Sequence, residues 1–297
     1  MRDRFIKSLI REAESNENIM LIVGDLGYGV IEEFEKRFPN QFINAGVAEQ
    51  NMIGMAAGLA KVGYKVFVYS IANFPTFRCL EQIRNDIAYH KLDVSIVAIG
   101  AGFSYGTLGY SHHAVEDLAI MRSIPGVKIY SPCDPNSVEE CFIDSINSDG
   151  PKYFRLGKNG ESEVPNRNQI SDNSIQNHTS DKLIISTGSI ISEAFSAQAK
   201  LSLKGINVDI LQINIIKPFY LNRKDMEKYS QIYVLEEHSI IGGLGSCVVE
   251  ELQIIGVQIP VRFIAIPDRN QHMTGSQSFL RKEFGLDAES IVEIIEN

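Results

Sequence analysis

A glutamate in the first turn of a helix, two phenylalanines three residues apart with an arginine behind them, and two adjacent histidines in a glycine-rich loop are the side chains of this sequence best suited to chemistry. Residues 42–60 read FINAGVAEQNMIGMAAGLA, a short strand ending at Gly46 and then a helix from about Ala48. That puts Glu49 at the helix start among apolar neighbours, a position the macrodipole favours whatever else the carboxylate does. Asn73-Phe74-Pro75-Thr76-Phe77-Arg78 follows the apolar run KVFVYS. Rings at that spacing fill a core as readily as they flank a ligand, and Arg78 is either a solvated charge or an anion contact. The loop 100–114, GAGFSYGTLGYSHHA, has four glycines together with His112 and His113. Adjacent histidines point different ways, so the pair alone makes no two-histidine metal site. A single imidazole there still suits work near neutral pH. Arg155 and Lys158 flank the end of the run KYFRL, either as anion contacts or as strand-edge charges. Lysine would meet an anion as a point charge, without the bidentate fork of arginine. Thr187-Gly188-Ser189 and Gly242-Gly243-Leu244-Gly245 match neither GxGxxG nor a P-loop, and each is a phosphate cradle or simply a tight turn.

The elements that must position these groups alternate along the chain. Apolar runs at 19–24, 65–70, 94–100, 127–131 and 152–156 read as buried strands, with helical patterns at 31–38, 48–61, 77–90, 115–122 and 135–147 between them. Residues 159–181 are polar, rich in Asn and Ser, and carry no apolar period, which reads as a linker or an exposed excursion. Strand patterns resume at 183–188, 208–213, 232–237 and 261–266. The expectation is an α/β chain of two three-layer domains with mainly parallel sheets, residues 1–158 and 182–297, joined by 159–181. Ligands of parallel sheets bind beyond the carboxyl ends of the strands, so the strand-to-helix loops are where a site belongs.

Composition narrows the function classes. The 297 residues fit two domains at about 150 residues each. A formal charge of −9 argues against a nucleic-acid partner, which needs a basic face, but leaves room for a local anion pocket. The cysteines at 79, 133, 141 and 247 form no CxxC pair and no zinc spacing, which fits a reducing compartment. The start, MRDRFIKSLIREAES, is charged and helix-periodic and unlike a signal peptide. No apolar run approaches the ~18 residues of a membrane span. A soluble, cytoplasmic protein without membrane attachment is expected.

The Glu49 string, the aromatic segment, the segment GTLGYSHH at 106–113 and the second α/β half, in that order, resemble the transketolase family of thiamine diphosphate enzymes. Deoxyxylulose-phosphate synthases and the β subunits of 2-oxo acid dehydrogenase E1 components share that superfamily, and the resemblance runs over most of the chain. It implies a pyrimidine-binding domain followed by a transketolase C-terminal domain. It gives Glu49 the carboxyl that hydrogen-bonds N1′ of the cofactor's aminopyrimidine and stabilises the imino tautomer that deprotonates C2. Phe74 and Phe77 take two aromatic positions against the same ring, while a third falls on Leu80. Asp25 matches an aspartate near the cofactor. The substrate side is implied to comprise His112 with its neighbour His113, Arg78, Arg155 and Lys158.

Two departures bear on the substrate. Leu108 stands where transketolases carry a sugar-binding aspartate, and Gly100 where they carry a further substrate histidine. Loss of groups that hydrogen-bond hydroxyls implies a different donor or acceptor. A third departure bears on the partner. The family's magnesium motif, GDG with a downstream NN, has no counterpart beyond Gly24-Asp25-Leu26-Gly27. The resemblance therefore implies that Mg²⁺ is ligated mainly by a separately encoded diphosphate-binding subunit, in an α₂β₂ assembly, and that the chain alone does not turn over. No metal ligand is assigned to this chain. The second half resembles the family through 187–189, Lys217-Pro218 and 234–252, where His238 is a structural group. The implied activity is transfer of a two-carbon ketol unit between sugars or sugar phosphates. The alternatives are the β subunit of a 2-oxo acid dehydrogenase or other acyloin-forming enzyme, and a non-catalytic regulatory homologue.

Overall fold

Most of the apolar runs become strands buried on both faces, which is why they read as continuous and not alternating. The computed structural model describes residues 1–158, 160–165, 170, 173, 175 and 178–297. Its strands are β1 (Ile19–Val23), β2 (Phe42–Asn44), β3 (Lys65–Ile71), β4 (Val94–Ile99), β5 (Lys128–Tyr130), β6 (Lys152–Leu156), β7 (Lys182–Thr187), β8 (Asp209–Ile213), β9 (Ile215–Lys217), β10 (Gln231–Ser239) and β11 (Val261–Ile266). One sheet runs β2-β1-β3-β4-β6-β5-β9 and the other β11-β10-β7-β8. Every pairing is parallel except β5 with β9.

Strand β1 shows how the first sheet is held. Met20 and Ile22 enter one core with Val66, Val68 and Ile96, and Ile19, Leu21 and Val23 enter the other with Phe5, Phe67 and Phe154. Helix Arg2–Ala13 covers the second face with Phe5, Ile6, Leu9, Ile10 and Ala13, an apolar stripe at helical spacing. Helix Glu49–Lys61 covers the first with Met52, Ile53, Ala56 and Ala57. The architecture is the expected α/β one, with mainly parallel sheets. Among the described residues no helix is long and apolar enough to cross a membrane.

The structure departs from the expected elements in two places that matter below. The helix expected over 77–90 instead follows a short turn of helix at Asn73–Thr76, is interrupted at Cys79, where φ is −111°, and continues as Leu80–Gln82 and a π-helical Ile83–Ala88. Strand β9 was not expected at all. It comes from the second half yet closes the edge of the first sheet, where Asn214 accepts at its backbone oxygen from the Ser131 N–H at 2.8 Å and at Oδ1 from the Cys133 N–H at 3.0 Å. Of the expected linker 159–181, residues 159, 166–169, 171, 172, 174, 176 and 177 lie outside the described residues.

Candidate active site

The carboxyl ends of β1, β2, β3, β4 and β6 lead into the loops that carry the candidate residues. Glu49 opens its helix and is 3% exposed. Its Oε2 accepts from Arg78 Nη1 at 2.7 Å, and Arg78 itself is half exposed. The same guanidinium lies 5.1 Å from the centroid of the Phe74 ring. A planar, cationic N–H donor thus rests on an aromatic face and bonds a buried carboxylate. Gln50 fixes the arrangement by donating to the Arg78 backbone oxygen at 3.0 Å.

Phe74 also meets His112 edge to face, with ring centroids 5.3 Å apart. His112 Nδ1 is 3.0 Å from Ser111 Oγ. Asn73 ties this histidine loop to the aromatic segment by donating from Nδ2 to the backbone oxygens of Ser111 and His113, both at 2.9 Å. Between them lies a groove of about 480 Å³ bordered by Phe74, Phe77, Arg78, Tyr110 and Glu116. Burial pushes the Glu116 carboxyl above its ordinary range.

His113 borders the same groove but is buried, and its Nε2 faces the Gly106 carbonyl at 3.2 Å. That carbonyl can only accept, so the proton belongs on Nε2 and Nδ1 is left as an acceptor. Burial holds this imidazole below its ordinary range, in the neutral form. Its Nδ1 and the Oδ1 of Asn73 are buried acceptors without a hydrogen-bond partner. Two buried acceptors without a partner among the described residues, a buried carboxylate and an aromatic platform form an acceptor set that fits a flat heterocycle carrying amino and ring N–H groups.

Asp25 lies on the neighbouring loop. It is held by Asn44, which accepts from the Asp25 N–H and donates to its Oδ1, each at 3.1 Å, and which also accepts from the Gly46 N–H at 3.0 Å. This staple links the end of β1 to the start of the Glu49 helix. On the other rim, Lys158 Nζ sits 4.8 Å from the Tyr105 ring centroid, and Tyr105 lies 6.4 Å from His112.

Arg155 is the group the structure moves elsewhere. It is 3% exposed; Nε donates to Asp117 at 2.9 and 3.1 Å, and Nη2 donates to the backbone oxygens of Ala114 and Glu237, both at 2.9 Å. Tyr153 donates to the same Asp117 at 2.8 Å. This guanidinium is buried and already paired with the Asp117 carboxylate, whereas a substrate contact was expected of it. Asn73, Asn44 and Tyr105 contact the candidate residues and were passed over by motif reading, since an amide or a phenol in a loop carries no signal of its own. Among the described residues no three His, Cys, Asp or Glu side chains converge as a metal cluster.

Comparison with known proteins identifies both halves of the chain. Residues 1–160 match the transketolase pyrimidine-binding domain, and residues 173–291 match the transketolase C-terminal domain. The chain is 35% identical over 298 residues to an apulose-4-phosphate transketolase subunit of Phocaeicola vulgatus, covering 98% of this chain and 94% of that protein. It is 38% identical over 303 residues to a putative transketolase C-terminal section of Methanocaldococcus jannaschii, covering 99% and 95%. Among solved structures, a split-gene transketolase described as an inactive beta4 tetramer superposes with a TM-score of 0.85 at 32% identity, covering 99% and 96% of the two chains.

Proposed function

Because the chain belongs to the transketolase family, we propose that it is the pyrimidine-binding subunit of a two-component, thiamine diphosphate-dependent enzyme that transfers a two-carbon ketol unit between sugars. The observation that carries the reading is the Arg78 guanidinium lying over Phe74 and bonded to Glu49. A flat N–H donor already occupies the position an aminopyrimidine would need, which supports the fit of these residues to the cofactor.

When bound, thiamine diphosphate supplies the carbanion chemistry that cleaves and reforms the bond beside a ketose carbonyl. This chain's part is to orient it and to handle protons. Glu49 holds or releases a proton at the pyrimidine ring nitrogen. Phe74 and Phe77, which border the groove, would hold the ring by aromatic contact. Arg78, once displaced, is free to meet an anionic substrate group. His112 and His113 face the substrate, and Lys158 offers a cation at its far end. The diphosphate and its Mg²⁺ fall to a separate diphosphate-binding subunit, in an α₂β₂ complex, consistent with relatives named as transketolase subunits. Four cysteines, all free and buried, agree with a cytoplasmic setting.

The test is co-expression with a diphosphate-domain protein encoded beside this chain, followed by a screen of ketose donors with thiamine diphosphate and Mg²⁺. The complex is expected to turn over ketoses while the chain alone does not. Tight cofactor binding by the lone chain, or turnover of 2-oxo acids in place of ketoses, would overturn the reading.

A further inference from the structure

Gly100, at the end of β4, has φ +97°, and a Cβ built there would sit 2.2 Å from Tyr105 Cδ2 and 2.3 Å from Cε2. The ring of Tyr105 therefore fills the space that a side chain at position 100 would take. It is packed, not loose: it rests against the core cluster that contains Tyr69, Phe154 and Leu156. One side of the ring meets the Lys158 ammonium at 4.8 Å, and another approaches His112, with centroids 6.4 Å apart. Among the described residues neither the Tyr105 hydroxyl nor Lys158 Nζ has a hydrogen-bond or ion-pair partner, and both side chains are half-buried. The Arg2 guanidinium also acts on this phenol, although Asp3 is its own partner at 3.1 Å.

We propose that Tyr105 is a specificity-determining residue whose phenol hydrogen-bonds a hydroxyl of a polyhydroxylated substrate with an anionic end directed to Lys158. The proposal rests on the reading of this chain as half of a ketol-transfer site. Glycine at 100 is what admits the ring, since any side chain there clashes with it and strains a left-handed backbone. Leu108, on the same loop and 54% exposed, offers no polar atom, and the Tyr105 phenol is a neutral donor and acceptor beside the Lys158 cation. Burial pushes the phenol up, which keeps its proton in place as a donor at neutral pH. An anchored ring beside an unpaired cation sets the register of a chain of hydroxyls without adding charge of its own.

The test uses the assembled complex loaded with thiamine diphosphate and Mg²⁺. D-ribose 5-phosphate, an aldose phosphate with no donor present to react with, is titrated calorimetrically into wild type and Tyr105→Phe. Y105F keeps the ring that fills the space over Gly100 and deletes only the hydroxyl. Its affinity for the aldose phosphate is expected to fall roughly tenfold, the weight of one hydrogen bond to a ligand. Affinity for thiamine diphosphate and the melting temperature should stay unchanged. In steady state, KM for the ketose donor should rise with kcat held within about twofold, as for an interaction shared by ground and transition states. Equal aldose-phosphate affinity in the two proteins would overturn the assignment while leaving the ketol-transfer reading intact. A wild-type complex that binds cofactor but no aldose phosphate would overturn the polyol class at this rim. A complex that binds neither would overturn the functional reading itself.

Discussion

Glu49 and Arg78 set the electrostatics of the site at the level of single side chains. Glutamate 49 is buried and its bonded oxygen is already taken, so a ligand that needs this carboxylate must first move a guanidinium aside. Arg78→Ala should therefore tighten thiamine diphosphate binding to the assembled complex, by about threefold to tenfold if a partly exposed ion pair is worth ~1 kcal/mol. Unchanged or weaker cofactor affinity in R78A would show that the guanidinium is no obstacle. Glu49→Gln keeps the shape and loses the exchangeable proton. Turnover is expected to drop by about 100-fold or more with the melting temperature preserved, read by steady-state rates beside thermal unfolding. A variant that keeps most of its rate would remove Glu49 from the chemistry. The acidic helix start and the histidine loop stood out as residue types, but their roles came from the resemblance of the surrounding strings to the family, since a helix-start carboxylate alone is explained by the macrodipole. The amides of Asn44 and Asn73 did not stand out, because their importance lies in which backbone oxygens and N–H groups the fold brings within 3.1 Å.

Among elements, the helix Glu49–Lys61 divides its small residues between two tasks. Ala56 and Ala57 pack into the core, whereas a Cβ at Gly54 or Gly58 would have nothing within 4 Å. Val47 and Val62, at the two ends of the same segment, are 76% and 74% exposed. A glycine in a helix interior costs about 1 kcal/mol relative to alanine, and this chain carries two on one open face. Close approach of another backbone, that of the proposed partner subunit, would account for that cost. Gly58→Arg should then leave the lone chain at least as stable and prevent assembly, seen as loss of the high-mass species in sedimentation or size-exclusion with light scattering. Normal assembly in G58R would turn the face back into plain surface. The sequence showed this helix to within one residue of its start, because its apolar positions recur at helical spacing. It misread 77–90 for the same reason: the apolar period continues through a break at Cys79 and a π-helical stretch, neither of which changes which residues are buried. Strand β9 escaped because three residues carry too little pattern to separate strand from loop.

At the scale of the whole molecule, the second sheet works as a brace for the loop that carries the histidines. Glu237 of β10 accepts from the Phe103 N–H at 2.6 Å, from Gln277 at 2.9 Å and from Arg281 at 2.6 Å, and the Gly275 N–H donates to the Gly106 carbonyl that His113 also meets. One residue along, His238 is fully buried. Its Nδ1 faces the Ser239 carbonyl at 2.8 Å, its Nε2 accepts from the Ala119 N–H, and Glu236, Asp117 and Arg155 are the charges around it. Burial dominates these and holds the imidazole below its ordinary value, as it does for His113. An imidazole kept neutral in the fold must still take a proton when the chain unfolds in mild acid. Below about pH 6.5 the unfolded chain binds more protons than the folded one, so stability falls as pH drops and is fully present above that value. Each pH unit by which a histidine is depressed is worth about 1.4 kcal/mol once the pH lies below both values. The melting temperature should therefore fall by about 2 °C or more between pH 7.5 and 5.5. His238→Gln, which retains an amide acceptor and donor but cannot titrate, should show a shallower fall over the same interval. Parallel slopes for wild type and H238Q would place the acid sensitivity elsewhere. A shallower slope, together with loss of turnover in the complex only where the brace is cut, as in Glu237→Ala, would show that the half without chemistry of its own holds the histidine loop in working geometry.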